Sequence, residues 1–495
     1  MNRMQRYLAG LIVALVVSTG GLLVADEPVA LGSRRELFVD GLLVERLQGA
    51  TIELCEPIDR GSVLALDQPW EGIFSAYTTI LRDGEMLRMY YRGGPQQDLP
   101  DGTDAEVTCY AESVDGVQWT KPKLGLFEVA GTRENNVVLA AVAPASSNFT
   151  PLLDTRPDVP RDERYKALAY SKAKGDFVTL SAWASPDGLH WRKLREQPVM
   201  TAKNVAGDWA FDSQNVAFWS PSEQMYVCYY RKFDINVRSV SRVTSNDFLH
   251  WSPPEAMRYS NTGTTIPANQ LYTNQTQPYF RAPHIYVATA ARFMEGRKVV
   301  TDAQAKEIGV HPGYYNDTSD AVLMTTRGGN QYDCMFGRAF LKPGIGMQNW
   351  VSRTNYPALN VVQTGPAEMS LYVQADYGQK SAHLQRYSLR LDGLSSLRAP
   401  LSGGELLTRP ITFTGSRLLL NFATSAAGDV RIEIQDTEGH PLPGYSLENA
   451  GELIGNEIDR AYSWQASDDV SALAGKPIRL RFLLRDADLY SFRFQ

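Results

Sequence analysis

The sequence has few of the residues that metal and redox sites require. Its 495 residues include four cysteines and six histidines, with no Cys-x-x-Cys pair and no histidines four residues apart. Zinc sites of the common kinds are therefore excluded. Cys109 and Cys228 stand between strand-like residues, so we expect both to be buried free thiols. A disulfide bond is the alternative. We predict no cofactor, and a structural calcium ion is left open.

Runs of lysine and arginine are also missing. The net charge is −6 and the isoelectric point about 5.7, whereas nucleic-acid binding needs a basic surface that neutralises phosphate. A nucleic-acid partner is therefore excluded. Hydrophobic residues make up 43% of the chain and charged residues 21%, which is ample for a packed core.

The first 26 residues have the parts of a secretory signal peptide. Arg3 and Arg6 precede an apolar stretch from residue 7 to 24, and Ala25 comes before a polar segment. We predict a signal peptide at 1–26, a secreted, periplasmic or cell-envelope location, and no stable membrane span after cleavage. An uncleaved membrane anchor is the alternative, because the stretch is nearly long enough to span a bilayer.

Long helical periodicity is absent, and only residues 302–308 suggest a short helix. Instead, a Ser-x-Asp-x-x-x-Trp pattern occurs three times, at residues 113–119, 185–191 and 245–251. Each copy ends a stretch of alternating apolar and polar residues. We expect a hairpin turn in which the aspartate accepts local backbone N–H groups and the tryptophan packs beneath.

Further strands precede each turn, which gives a unit of four strands, the pattern of a propeller blade. Counting units predicts five blades near residues 73–122, 137–194, 212–254, 274–342 and 366–398. The predicted fold is all-β: a five-bladed propeller at 36–400 and a small β-sandwich at 403–495, where the strand spacing changes. Residues 36–58 predict a strand pair that either closes the ring or covers its edge.

In a propeller, the start of each first strand and the end of each second strand meet on one face, around the central channel. The residues opening the first strands include Glu71, Asp212 and Glu368, which we predict to be catalytic. The polar residues at the other openings and at the second-strand ends are predicted to bind substrate. They are Asn148, Asn274, Gln275, Arg92, Arg231 and Arg292, with Asp162 as a further acid near the second blade.

Carboxylates, amides and arginines in one ring fit cleavage of a glycosidic bond. That reaction needs one protonated and one ionised carboxyl group, and mutual repulsion and neighbouring arginines set their pKa values apart. Asp212 and Glu368 are the better pair, because each directly precedes a clear strand. A structural role is the alternative for each acid: Asp212 capping a turn, and Glu71 or Glu368 pairing with a surface arginine.

The order of these features resembles the five-bladed propeller glycoside hydrolases of the invertase, levanase and arabinanase superfamily, in a divergent secreted form with an appended β-sandwich. Pro69-Trp70-Glu71-Gly72 stands where that superfamily has its nucleophile motif. Arg161-Asp162-Glu163 is similar to its Arg-Asp-Pro motif, and Phe211-Asp212-Ser213 opens the third blade, where a functional carboxylate is expected. The resemblance implies a glycosidase acting on a poly- or oligosaccharide.

Two alternatives remain at this point. The three turns also resemble the Asp-box hairpins of sialidases, which have six blades, an arginine triad and a tyrosine nucleophile, and Arg92, Arg231 and Arg292 would be the triad. The other alternative is a propeller that binds a glycan without cleaving it. The oligomeric state is not indicated.

Overall fold

The computed structural model describes residues 27–94, 103–172, 178–202, 209–234, 236–261, 264–266, 270–465 and 467–495. The predicted signal peptide therefore lies outside the described residues. Within the described ranges, no helix has the length and apolarity needed to cross a membrane.

Five strands precede the first blade. They are β1 (Val29–Gly32), β2 (Glu36–Leu37), β3 (Val44–Gln48), β4 (Thr51–Leu54) and β5 (Ile58–Ala65). β1 to β4 pair with strands of the carboxyl-terminal region, whereas β5 pairs with a strand of the fifth blade.

Five sheets, antiparallel except for the β20–β26 pair of the fourth, follow around a central channel, which confirms the predicted five-bladed propeller. The first blade contains β6 (Ala76–Asp83), β7 (Met86–Gly93), β8 (Val107–Ser113) and β9 (Val137–Leu139). The second contains β10 (Phe149–Leu153), β11 (Tyr165–Lys172), β12 (Val178–Ser185), β13 (Arg192–Lys193) and β14 (Met200–Thr201), with a 3₁₀ helix at Arg161–Glu163. The third contains β15 (Trp209–Ala210), β16 (Val216–Ser220), β17 (Met225–Asp234), β18 (Val237–Ser245) and β19 (Glu255–Ala256).

The fourth blade is enlarged and the fifth is completed from the other end of the chain. The fourth contains β20 (Arg258–Asn261), β21 (Thr264–Ile266), β22 (Leu271–Thr273), β23 (Thr276–Tyr279), β24 (Ala282–Met294), β25 (Thr318–Thr326) and β26 (Gln331–Asp333), and the helix α1 (Asp302–Glu307) lies between β24 and β25. The fifth contains β27 (Tyr356–Pro357), β28 (Val362–Gln363), β29 (Glu368–Ala375) and β30 (His383–Arg390), with a 3₁₀ helix at Met347–Asn349 before it. β5 is its outermost strand, so a segment from near the amino terminus closes the ring.

The carboxyl-terminal region, predicted to be a β-sandwich and called the sandwich below, contains β31 (Ser395–Ala399), β32 (Gly404–Thr408), β33 (Ile411–Phe413), β34 (Leu418–Gln435), β35 (Asn456–Ala461) and β36 (Arg479–Phe494), with a 3₁₀ helix at Ser471–Leu473. With β1 to β4, these strands form one eight-stranded sheet and a separate β1–β33 pair. β34 and β36 pair along almost their whole length. Their apolar side chains form one core with side chains from the amino-terminal segment, among them Leu31 and Phe38. The predicted domain limits of 36–400 and 403–495 therefore need correcting, because strands before residue 55 belong to the sandwich.

Three turns of identical hydrogen bonding connect strands at the Ser-x-Asp-x-x-x-Trp segments. In the second blade, the Oδ1 atom of Asp187 accepts the backbone N–H groups of residues 189 and 190 at 2.9 Å, and Ser185 Oγ accepts that of Gly188 at 2.9 Å. The Trp191 indole donates to the Gly188 carbonyl at 3.0 Å. Residues 113–119 and 245–251 repeat this arrangement.

Tyrosines in the second strands of the first, third and fourth blades link these blades to a neighbour. The Tyr226 hydroxyl donates to Asp154 of the second blade at 2.5 Å, and the Tyr286 hydroxyl donates to Glu223 of the third blade at 2.8 Å. Tyr90 donates instead to the Gly188 carbonyl in the next blade's turn at 3.0 Å. Because each buried phenol has an acceptor, these side chains stabilise the interfaces without leaving a polar group unsatisfied.

All four cysteines are free thiols, as expected. Cys109, Cys228 and Cys334 are buried and Cys55 is half-buried. Burial raises the pKa of Cys55 to about 11 and that of Cys334 to about 12. These groups are thus protonated at neutral pH and unsuited to nucleophilic or metal chemistry.

Candidate functional site

Strand register divides the propeller into two faces. We call the face where the first strands begin the entrance face, and the opposite one, where the three Asp-containing turns lie, the exit face. Ala76, at the start of β6, pairs with Arg92 near the end of β7, and Leu271 pairs with Arg292 in the same way. Asn148, Asp212 and Arg231 occupy the corresponding ends of their strands, so these predicted site residues share the entrance face.

Asp212 is the exposed carboxylate of this group. Its side chain is 49% accessible, and its Oδ2 atom lies 2.8 Å from an Nη2 atom of Arg231. The Arg231 guanidinium is buried and stacks on the Tyr272 ring, with its Cζ atom 4.4 Å from the ring centroid. The buried arginine therefore fixes the carboxylate at the surface of the entrance face.

Aromatic side chains from the other blades surround this ion pair. Burial raises the pKa of Tyr77 well above 10, and the negative charge of Asp212 contributes. Burial likewise raises the pKa of Tyr170 to about 12, again with a contribution from Asp212. Tyr77, Tyr170 and Tyr272 come from the first, second and fourth blades, so four blades meet at Asp212. Both phenols with raised pKa values stay protonated at neutral pH and can donate hydrogen bonds.

A second arginine–carboxylate pair lies in the first blade. The buried Arg92 guanidinium is 3.7 Å from Glu106 and donates to the Phe74 carbonyl at 2.9 Å. It also lies over the Tyr77 ring at 4.8 Å. Glu106 was missed by the sequence argument, because it precedes the third strand of its blade rather than the first.

Left-handed backbone conformations mark four of the five blade openings. φ is +57° at Tyr77, +70° at Phe211, +49° at Gln275 and +69° at Asn355. Such values are costly for residues with a Cβ atom and collect at functional sites. At Tyr77 the residue lies in an irregularity between Ala76 and Thr79 that redirects the side chain.

Two glutamines close the floor of the entrance face. The Gln275 amide donates to Gln214 Oε1 at 2.6 Å and to the Pro357 carbonyl at 2.8 Å, and Gln214 donates to Thr79 Oγ1 at 3.1 Å. Asn274 Oδ1 accepts the Thr276 amide at 3.0 Å. The polar groups of Asn274 and the Gln275 Nε2 atom thus face protein partners, whereas the buried Gln275 Oε1 atom has no hydrogen-bond partner among the described residues, so the binding role of Gln275 stays a prediction.

In the described part of the chain, Asn148 also has a buried amide oxygen without a partner. Its side chain is buried at the opening of the second blade, and its Oδ1 atom has no hydrogen-bond partner among the described residues. A buried acceptor of this kind needs a donor from solvent or from a ligand. Asn148 therefore keeps its place among the candidate binding residues.

The prediction that Glu71 is catalytic is wrong. Its carboxylate is fully buried and accepts hydrogen bonds from the Tyr91 hydroxyl at 2.6 Å, Lys121 Nζ at 2.7 Å and the Gln68 amide at 2.9 Å. A carboxylate enclosed by three donors cannot reach a substrate. Its role is to neutralise Lys121 inside the protein.

The prediction for Glu368 is wrong for a topological reason. Glu368 opens β29, which is the second strand of the fifth blade, since β27 and β28 occupy the inner position. Its carboxylate therefore lies on the exit face, where it pairs with Arg386 and lies 3.5 Å from Arg60. Asp212 and Glu368 cannot act on one bond.

Asp162 and Arg292, two further predicted site residues, each form an ion pair with another residue of the protein. Asp162 is exposed on the exit side of the second blade and lies 2.6 Å from Arg192. Arg292 donates through Nε to Asp320 at 2.8 Å, and the two residues stand directly opposite in β24 and β25. Asp162 therefore does not belong to the site, and Arg292 forms a cross-strand pair at the edge of the entrance face.

The sialidase alternative is disfavoured by the same contacts. Arg92, Arg231 and Arg292 each have a carboxylate of their own, and the propeller has five blades. A triad that binds an anionic sugar needs uncompensated guanidinium groups.

Part of the entrance face is covered. The segment between β24 and β25 carries α1 and places Val310 and Tyr314 against a cluster that includes Phe74, Tyr77 and Tyr377. Arg353 lies over the Tyr314 ring at 5.0 Å. Away from this segment, Trp209 in β15 is 45% exposed, three residues before Asp212. This is an apolar surface of the size that stacks on a sugar ring.

The described residues contain no group of three or more histidine, cysteine, aspartate or glutamate side chains placed to hold a metal ion. No family model matches this chain, and no curated protein matches it by sequence.

Solved structures with a similar fold include glycoside hydrolases of the kind that the sequence resembles. A fructofuranosidase variant from Schwanniomyces occidentalis complexed with fructosylnystose is 10% identical, with a TM-score of 0.40, covering 88% of this chain and 96% of its own. A family-32 β-fructofuranosidase from Bombyx mori is 9% identical, with a TM-score of 0.41, covering 88% of this chain and 94% of its own. An N-acetylgalactosamine deacetylase from F. plautii in complex with blood group B trisaccharide is 12% identical, with a TM-score of 0.43, covering 67% and 97%. At these values the activity has to be argued from the chain's own residues.

Proposed function

We propose that this chain is a secreted glycoside hydrolase acting on a poly- or oligosaccharide at the entrance face. The observation that carries the proposal is the half-exposed Asp212 carboxylate, which Arg231 fixes where aromatic side chains of three other blades meet. Carbohydrate sites combine such a carboxylate with aromatic surfaces for the sugar rings. The proposal includes no cofactor.

In this reaction Asp212 is the carboxylate that faces the substrate, and the Arg231 guanidinium holds it in place. Glu368 is not part of the proposal, and Glu106, although on the entrance face, is buried beside Arg92, so Asp212 is the one carboxylate proposed to act on the substrate. Protonated Tyr77 and Tyr170 donate hydrogen bonds to sugar hydroxyls, Asn148 offers an acceptor, and Trp209 stacks on a ring.

The first test compares Asp212→Asn with wild type in a glycan-release screen on the purified protein. Loss of a catalytic carboxylate lowers kcat by about a hundredfold or more, while the thermal midpoint should change little because Asp212 is half exposed. Asp162→Asn is the matched control, as it removes another exposed, arginine-paired aspartate on the exit face. If Asp212→Asn retains wild-type turnover of a substrate that the wild type cleaves, Asp212 is not catalytic.

A second function, glycan binding without cleavage, is favoured by one observation. Asp212 and Glu106 each form an ion pair with arginine, whereas cleavage also needs a protonated carboxylic acid beside the leaving oxygen. Under this alternative, no glycan is cleaved, and calorimetry detects binding that Trp209→Ala abolishes.

A further inference from the structure

A separate cavity occupies the exit half of the central channel. Its volume is about 400 Å³, within the range of small-molecule sites. The walls come from the ends of the inner strands of all five blades and are mostly apolar. They include Leu81, Leu152, Val216, Phe218, Leu359 and Val361. At the mouth, the Phe280 side chain is 40% exposed.

This cavity is distinct from the candidate site around Asp212. The hydrogen-bonded Gln214 and Gln275 side chains cross the channel between the two. The apolar walls also make it unsuitable for a sugar, whose many hydroxyl groups would lack partners there. A ligand of different chemistry is required.

An arginine at the rim indicates the charge of that ligand. Arg82 lines the cavity, and its guanidinium donates to two backbone carbonyls, those of Gly84 and Gln363. Among the described residues no carboxylate pairs with it. By contrast, Arg88 and Arg164, on the same face, both pair with Asp83. Arg82 therefore offers an uncompensated positive charge beside an apolar cavity.

A single amide donor interrupts the apolar wall. Gln277 is buried, its Oε1 atom accepts the Val361 amide at 3.0 Å, and its Nε2 atom has no hydrogen-bond partner among the described residues. An unsatisfied buried donor is costly. An oxygen atom of a bound molecule would satisfy it.

We propose that this cavity binds an amphipathic organic anion. The apolar body of the ligand, an alkyl chain or an aromatic ring system, fills the channel between Leu359 and Val216. Its anionic group lies at Arg82, and an oxygen of the ligand accepts from Gln277. The assignment does not depend on the glycosidase proposal, because the two sites share no residue.

Binding is tested on the full-length protein with 1-anilinonaphthalene-8-sulfonate, an apolar anion whose fluorescence increases in apolar surroundings. We expect one bound probe per chain, displaced by dodecanoate. Arg82→Gln should weaken dodecanoate binding by about tenfold, the size of one charge-assisted contact, and should leave binding of uncharged dodecanol unchanged. Arg133→Gln is the matched control, since Arg133 is also exposed and also bonded to a carbonyl.

Two cavity-filling variants locate the probe. Leu359→Trp fills the channel from the wall, and Thr155→Trp obstructs the mouth from an exposed position. Both should abolish probe binding while circular dichroism shows a folded protein. The proposal is overturned if a folded filling variant binds the probe like wild type, or if Arg82→Gln and Arg133→Gln bind dodecanoate equally.

Discussion

Gly188 lies at φ +79° in the turn of the second blade, and a Cβ atom there would stand 2.5 Å from the Tyr90 hydroxyl. That hydroxyl donates to the Gly188 carbonyl, so it cannot move without losing its acceptor. Substitution by alanine therefore adds two costs: a left-handed conformation with a side chain, and an overlap at a blade interface.

We expect Gly188→Ala to lower the free energy of unfolding by about 2–4 kcal/mol. Gly125→Ala separates the two costs, because Gly125 is at φ +71° with no atom within 4 Å of the added Cβ. It should lose only about 1 kcal/mol. Urea unfolding of both variants gives the comparison, and equal losses would show that the Tyr90 contact adds nothing.

For single residues, the sequence predicted the position of some candidate site residues in the fold but not of others. Asp212 was predictable because its blade opening stands directly before β16, an uninterrupted inner strand. Glu368 was misplaced because the true inner strand of its blade consists of two two-residue pieces, β27 and β28, which show no alternating pattern. The burial of Glu71 depends on Lys121, fifty residues away, and no local pattern reports it.

At the scale of the elements, the three Asp-containing turns should make the stability of the protein depend on pH, because folding lowers the pKa of each turn aspartate. Burial alone would raise the pKa of Asp187, but hydrogen bonds from His190 and the neighbouring amides outweigh it and lower the pKa from 3.8 to about 2. A carboxylate whose pKa is lowered by folding stabilises the protein above its unfolded pKa, and this contribution disappears as the pH falls through the folded value.

Asp187→Asn should therefore be less stable than wild type at pH 6, by up to about 1 kcal/mol because the group is partly exposed and screened. The difference should shrink between pH 4 and pH 2, as wild-type Asp187 becomes protonated. Denaturant unfolding at pH 6, 4 and 3 checks this, with Asp162→Asn as an exposed control outside the turns. A difference that is constant with pH would contradict the role of the charge.

Strand pairing explains why the propeller could be predicted from the sequence, while the amino-terminal strands of the sandwich could not. Each blade is built from strands close in the sequence, so alternation and turn residues report it directly. β3 pairs with β32, and β4 with β31, across more than 340 residues. Nothing in residues 44–54 themselves indicates a partner so far away.

For the whole molecule, Asp392 connects the propeller with both parts of the sandwich. Its buried carboxylate lies 3.3 Å from Arg35 and 3.0 Å from Arg281, and accepts the Tyr279 hydroxyl at 2.8 Å. Asn421 and Ser491 of the sandwich also donate to it. Arg35 precedes β2, Arg281 belongs to the fourth blade, and Asp392 follows the fifth, so one carboxylate pairs with charged groups from two other parts of the chain.

Asp392→Asn removes this charge and leaves the buried Arg35 guanidinium with Asp459, which is partly exposed, as its one charged partner among the described residues. Breaking a buried ion pair in this way costs about 3–5 kcal/mol. We expect the wild-type protein to unfold in one calorimetric transition and Asp392→Asn to unfold in two, the sandwich first, because the propeller retains its own closed ring. Asp488→Asn is the control, since Asp488 pairs with Arg398 at a more exposed edge of the sandwich.

The prediction is contradicted if Asp392→Asn unfolds in a single transition with a midpoint like that of Asp488→Asn. In that case the apolar interface, and not the Asp392 carboxylate, couples the unfolding of the propeller to that of the sandwich.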